Sequence, residues 1–204
     1  MSIKRPLLLF ILMFLSFESI SEEEKFVKLS DVNFDDTNTT FVMFYIDTNE
    51  NNASFEYRKI SSNFDDYSAS GITSKRKYTN SKRTANLNNL QSDYYLMAID
   101  PGLFQIHKIS VPLFDLPYKI ETGDQHPWRF KAQKGKINYV GRLIIGEHRS
   151  TSTISYELIN SIATDKSEIE KLLGERLKKY PLGSGAGYQD EFYDELTSAE
   201  GVKQ

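Results

Sequence analysis

"FKAQKGKINYVGRLII", Phe130 to Ile145, consists of two segments of alternating apolar and polar residues separated by Gly135-Lys136. Period-two alternation marks a strand with one buried face. Gly135 suits the positive φ of a tight reversal, with Lys134 and Lys136 solvated at its tip. The stretch therefore reads as a hairpin. Gly141 falls inside the second strand, after Tyr139-Val140. A glycine in that position marks a bulge, or the close approach of another backbone or an aromatic ring.

The same pattern recurs along the chain. "TFVMFYID" (Thr40 to Asp47) is crowded with bulky apolar residues and reads as a central, well-buried strand. "SFEYRKI" (Ser54 to Ile60) reads as a half-exposed strand paired to it through the turn "TNENNA". In "AIDPGLFQI", Pro101 and Gly102 occupy the central positions of a type II turn, which predicts a reversal between two antiparallel strands. Tyr94 and Tyr95 are adjacent, so an extended strand sends one to each face. With "WRFKAQ" and "STISYELIN" the pattern gives a mainly β fold, an antiparallel β-sandwich of about seven to nine strands. Ser61 to Ser92 is polar and reads as a long loop, functional or mobile, with one weak strand near Ile72 to Tyr78.

One helix is expected over about 165–180. Asp165 followed by Glu168 has capping-box spacing. Ile169, Leu172, Leu173 and Leu177 fall on one face, and Pro181 forbids continuation. The organisation expected is thus a signal peptide over 1–21, a β-sandwich domain with its C-terminal helix over 22–181, and a flexible acidic tail over 182–204.

The chain opens with Lys4-Arg5 and an apolar run from Leu7 to Phe17, too short to span a membrane as a helix but of signal-peptide length. Ser19 and Ser21 stand at −3 and −1 of a cut after Ser21, which predicts a periplasmic or secreted protein without a stable transmembrane anchor. The 204 residues include no cysteine, so neither a disulfide framework nor a lipid-bearing cysteine is available. Beyond Ser21, 23 basic residues stand against 27 acidic ones, which gives no reason to expect nucleic acid.

Asp100-Pro101-Gly102, Phe130 to Ala132, Gly135-Lys136 and Tyr139-Val140-Gly141-Arg142-Leu143, with a trailing helix ending at Tyr180-Pro181, resemble a family of bacterial exported proteins and lipoproteins of unknown function. Their domain is a small β-sandwich of the transthyretin or carboxypeptidase-regulatory type. The resemblance implies a β-sandwich and brings no catalytic residues.

The residues themselves supply no catalytic motif, metal site or cofactor. His107, His126 and His148 are far apart and lack metal-ligand spacing. No G-x-S-x-G elbow is present, and "GSGAG" (Gly183 to Gly187) follows a helix rather than a strand, the wrong context for phosphate. Two surface features remain. "SKRKYTNSKR" carries Lys75, Arg76, Lys77, Lys82 and Arg83 without an acid. Trp128, the only tryptophan, either anchors the core edge or forms with Tyr118 a stacking surface for a peptide or glycan. The expected function is a non-enzymatic binding or envelope-accessory module that engages a protein or an envelope component. The alternatives are a periplasmic hydrolase using a His/carboxylate site and a secreted factor contacting anionic surfaces through 74–83.

Overall fold

The computed structural model describes residues 22–186, apart from 33, 35–38, 49–51, 69–70, 114–115, 124 and 149. The expected signal segment and the acidic stretch from 187 onward lie outside the described residues. In chain order the strands are β1 (Glu22–Glu24), β2 (Val27–Lys28), β3 (Thr40–Thr48), β4 (Ser54–Ser68), β5 (Gly71–Tyr78), β6 (Arg83–Asn86), β7 (Asp93–Ile99), β8 (Gly102–Leu113), β9 (Leu116–Glu121), β10 (Arg129–Ala132), β11 (Ile137–His148), β12 (Thr153–Ile159) and β13 (Leu182–Ser184). Helix α1 (Ile162–Leu173) and the single turn α2 (Arg176–Lys179) lie between β12 and β13.

The expected β-sandwich with a C-terminal helical segment is the architecture found. One sheet has the order β1-β6-β4-β8-β10, with β5 paired to β4 and β9 to β8. The other has the order β12-β11-β3-β7-β2, with β13 paired to β11. Pairing is mixed rather than antiparallel throughout, since β11 runs parallel to both β3 and β13, and β1 parallel to β6.

Two cores sandwich the second sheet. Between the sheets, Val42, Phe44 and Ile46 of β3 meet Phe55, Tyr57, Phe104, Ile106 and Phe130. On the opposite face, Phe41, Met43, Leu96 and Tyr139 pack beneath Ile162, Ile169 and Leu173 of α1. A strand covered on both faces reads as a continuous apolar run, which is why "TFVMFYI" shows no alternation. Tyr95 enters the core between the sheets and Tyr94 the one under the helix, one to each face as expected.

The expected hairpins are corrected. Phe130 to Ile145 is not one: β10 pairs with β8, whereas β11 pairs with β3, β12 and β13 in the opposite sheet. The chain crosses the core edge at 133–136. Gly135 does adopt a positive φ, 73°. Asn138, fully buried, fastens the crossing: its side-chain amide donates to the carbonyls of Gln133, Lys136 and Phe41, and its Oδ1 accepts from the Gln133 N–H at 2.9 Å. Pro101-Gly102 likewise carries the chain from β7 in one sheet to β8 in the other, with Gly102 at φ 158°, far from the roughly +80° of a type II turn. β3 and β4 also face each other across the core and do not pair. Alternation is the same whether two strands bond side by side or stack face to face, so the pattern cannot tell a hairpin from an arch.

Three further expectations change. The polar stretch after Ser61 is largely strand, because β4 runs on to Ser68 and returns as β5, in which the weak strand near Ile72 to Tyr78 is present. Among the described residues β5 pairs with β4 alone, and a ribbon held by backbone hydrogen bonds needs no apolar face to announce it. Leu182–Ser184, expected as the start of the flexible tail, pairs with Ile137–Tyr139. The helix begins at Ile162, so Asp165 is an interior residue and not a cap, and the buried stripe is Ile162, Asp165, Ile169 and Leu173, with Leu172 exposed.

Gly141 is the glycine that the fold requires. The register of β11 against β3 slips between Tyr139, opposite Met43, and Gly141, opposite Phe44, so the predicted bulge is present. Gly141 has φ 135°, and a Cβ there would lie 2.1 Å from the Ile159 carbonyl oxygen. Gly141→Val adds backbone strain and a collision with backbone that cannot step aside. We expect a loss of about 3 kcal/mol or more in chemical denaturation. Unchanged stability would remove the close-approach explanation.

Candidate functional site

The strongest electrostatic cluster lies under α1. Because the bulge inserts one residue, Tyr139 and Arg142 emerge on the same face of β11, opposite Met43 and Tyr45 of β3. Arg142 grips Asp165 with two bonds, Nε to Oδ2 at 2.9 Å and an Nη to Oδ1 at 2.6 Å. The Tyr139 hydroxyl donates to Oδ2 at 2.5 Å and the Ser161 hydroxyl at 2.7 Å. The guanidinium lies over the Tyr45 ring, 4.7 Å from its centroid, and the Tyr94 hydroxyl donates to Glu168 at 3.0 Å.

Burial by itself raises the pKa of Asp165, whose side chain is 2% exposed, but bonds from Arg142, Ser161 and Tyr139 outweigh it and hold the carboxyl at about 2. Burial and the neighbouring carboxylates push the Tyr139 and Tyr94 hydroxyls well above the ordinary phenol value. Such a cluster locks a helix to a sheet. Each oxygen of Asp165 already accepts from donors within the cluster.

The histidines do not converge. His126 Nδ1 lies 2.6 Å from an Arg129 nitrogen, and Arg129 in turn donates to the buried Gln105. His107 packs edge-on against Tyr78 and lines a small cleft of about 160 Å³ with Glu56, Lys108 and Glu121. His148 is exposed at the end of β11. Among the described residues no group of three acidic or histidine side chains is placed to hold a metal ion.

The basic run is dispersed. Lys75 and Arg76 fall on β5, in the part whose side chains lie outside the described set; Lys77 and Lys82 are exposed; and Arg83 on β6 is bonded to Asp100 at 3.0 Å. Trp128 is buried in the core between the sheets, in a 3₁₀ turn at 126–128, and stacks on Tyr156 with centroids 5.9 Å apart. It is thus the anchor of the core edge, while Tyr118 stands 52% exposed on β9.

Tyr118 nevertheless lines a groove, together with Tyr156, which the sequence reading does not single out. β9 and β10 lie end to end along one margin of the first sheet, both paired to β8 on the side away from β4. β12 and β13 lie end to end along the facing margin of the second sheet, both paired to β11. The β10/β13 half of this seam is closed: Gly185 N–H donates to the Tyr139 carbonyl, Lys131 N–H donates to the Gly185 carbonyl, and Ala186 bridges Phe130. The β9/β12 half is open. It forms a groove of about 540 Å³ lined by Tyr118, Lys119, Ile120 and Glu121 on one side and Ser152, Thr153, Ile154 and Tyr156 on the other. Leu116 (70%), Tyr118 (52%) and Tyr156 (40%) expose large apolar surface on these two strands. The run "TISYELI" of β12 announces a strand; its position at a margin follows only from tertiary pairing. Trp128, stacked on Tyr156, stands beside the groove.

No family model, curated protein or solved structure matches this chain, so the candidate site rests on its own geometry. No helix among the described residues is long and apolar enough to cross a membrane.

The Asp165 cluster sets an acid limit on stability. Its carboxyl titrates near 2 in the folded chain against an ordinary 3.8, so its contribution is complete above about pH 4 and is lost as the pH falls towards 2. The shift corresponds to about 2 kcal/mol. Denaturation midpoints followed from pH 6 to 2 are expected to fall less steeply in Asp165→Asn, which starts lower at neutral pH. Parallel profiles would show that the cluster does not carry the acid sensitivity.

Proposed function

We propose that the protein is an exported, non-enzymatic binding module that accepts an extended polypeptide segment in the seam between β9 and β12. The carrying observation is the pair of facing sheet margins, each with an outer edge that pairs with no strand among the described residues and each bearing an exposed tyrosine, Tyr118 and Tyr156. A sheet edge presents a row of N–H and C=O groups to which an extended peptide adds as a further strand, and pockets beside it select alternate side chains. Tyrosine suits such a surface because it offers a large apolar ring, a hydroxyl and few rotatable bonds.

The charge of the groove agrees with a peptide better than with an anionic surface, since its charged lining residues are Lys119 and Glu121, one of each sign. Export is supported by the Leu7 to Phe17 run and by the small residues before the expected cut after Ser21. A partner in the cell envelope follows from that location.

The test uses an array of peptides alternating aromatic and polar residues, with the sole tryptophan as reporter, because Trp128 stacks on Tyr156. We expect saturable binding that shifts Trp128 emission, that weakens about tenfold or more in the Tyr118→Ala, Tyr156→Ala double variant, and that a proline in mid-peptide abolishes. Binding indifferent to both the tyrosines and the proline would overturn this reading.

A further inference from the structure

Two facing strand edges compete for one incoming chain, and the phase of their backbone hydrogen bonds decides between them. In an antiparallel pair a residue turns both its N–H and its C=O either towards its partner or away from it, alternately along the strand. On β12 the phase is fixed twice. The Ser155 hydroxyl donates to the Gly146 carbonyl at 3.4 Å, so that carbonyl is turned towards β12, and Ser155 is the residue opposite it. The Ile159 carbonyl is turned towards β11, since its oxygen lies closer than its carbon to an ideal Cβ on Gly141, 2.1 Å against 2.9 Å. Ser155, Glu157 and Ile159 therefore bond to β11, and Ile154, Tyr156 and Leu158 turn N–H and C=O to the outer edge. On β9 the bond from the Thr122 N–H to the His107 carbonyl, 2.8 Å, continues the pairing of Lys108 with Glu121, so Ile120 and Tyr118 bond to β8. Its outer edge is left with Pro117, which has no N–H, then Lys119 and Glu121.

Proline and lysine are residues that keep a sheet edge from accepting another strand. β9 carries both, at 117 and 119, whereas β12, "TISYELI", carries neither. Resting on the proposed peptide-binding seam, we infer that the peptide pairs with β12 beside Ile154 and Tyr156, that β9 serves as the opposing wall, and that the peptide bears a cationic side chain opposite Glu157. Ile154 and Leu158 pack against the core between the sheets, so Tyr156, midway between them, shares that inner face. A strand laid beside them sends alternate side chains to the same face. There Tyr118, on the same face of β9 as the buried Ile120, stands opposite. These positions take apolar or aromatic residues. The intervening ones fall on the outer face with Ser155 and Glu157. Glu157 is exposed and is the one charged residue of β12, so a lysine or arginine opposite it completes a cross-strand ion pair. β12 thus selects a chain in which a base directly adjoins one of the alternating apolar residues.

The experiment follows amide hydrogen exchange by NMR in the unaltered protein, with an alternating phenylalanine–serine heptapeptide, its central serine replaced by lysine, as the probe. The N–H groups of Ile154 and Tyr156 are expected to exchange freely in the free protein and to slow about tenfold or more when the peptide saturates the site, while those of Lys119 and Glu121 stay unchanged. Glutamate in place of the probe's lysine should weaken binding about threefold, and Glu157→Lys should reverse that preference. Slowing at Lys119 and Glu121 in place of Ile154 and Tyr156 would overturn the choice of edge while the peptide-binding seam stands. A charge preference unchanged in Glu157→Lys would overturn the cationic partner alone. Protection of Ile154 and Tyr156 before any peptide is added would overturn the inference, with a second copy of the chain as the occupant where protection rises with protein concentration. Saturable binding that slows neither pair of amides would overturn strand addition at either edge. Failure of this probe and of every alternating array peptide to bind would overturn both the edge and the seam.

Discussion

The carbonyl oxygen of Ile159 sits where a side chain at position 141 would begin, 2.1 Å from an ideal Cβ. That contact is possible only at glycine, and much of the fold hangs from it. Gly141 lies where β11 changes neighbours, from β13 at Tyr139 to β12 at Arg142. The one-residue bulge there reverses the facing of the remaining strand. Without it, Arg142 would point into the apolar core between the sheets. With it, Arg142 joins Tyr139 on the outer face and holds Asp165, a carboxylate on the buried stripe of α1.

The Asp165 cluster in turn directs the C-terminus. A buried carboxylate is tolerable only when its charge is answered, and here a guanidinium, a phenol and a hydroxyl answer it. The helix so fixed spans the outer face of the second sheet and returns the chain beside Ile137, where β13 completes the margin. The final described residues cross to the first sheet and close half the seam, leaving β9 and β12 apart. The candidate binding groove is thus the part of the seam the described chain does not close. Its tyrosines are exposed for that reason, whereas Trp128 beside them is covered.

Hairpins were the natural reading of Pro101-Gly102 and Gly135-Lys136, yet each carries the chain across the core. The determinant at 133–136 is Asn138, whose amide satisfies four backbone groups around the crossing. An asparagine in an apolar strand gives only a faint signal, since its partners are carbonyls and an N–H that no pattern displays. The seam was half legible. The sequence offers Tyr118 only as a stacking partner for Trp128, its near neighbour in the chain, whereas the fold sets it across a groove from Tyr156 on the facing sheet.

By itself the sequence determined the β character, the presence and approximate place of the helix, the two-faced burial of "TFVMFYI", and the need for glycine at 135 and 141. These follow from side-chain period and backbone stereochemistry, which act within a few residues. Only the tertiary structure decided which strands pair, that Asp165 is buried and not a cap, and which tyrosines share a groove. Those outcomes depend on contacts between residues far apart in the chain, such as Ile159 against Gly141 and Ala186 against Phe130, and local alternation is blind to them.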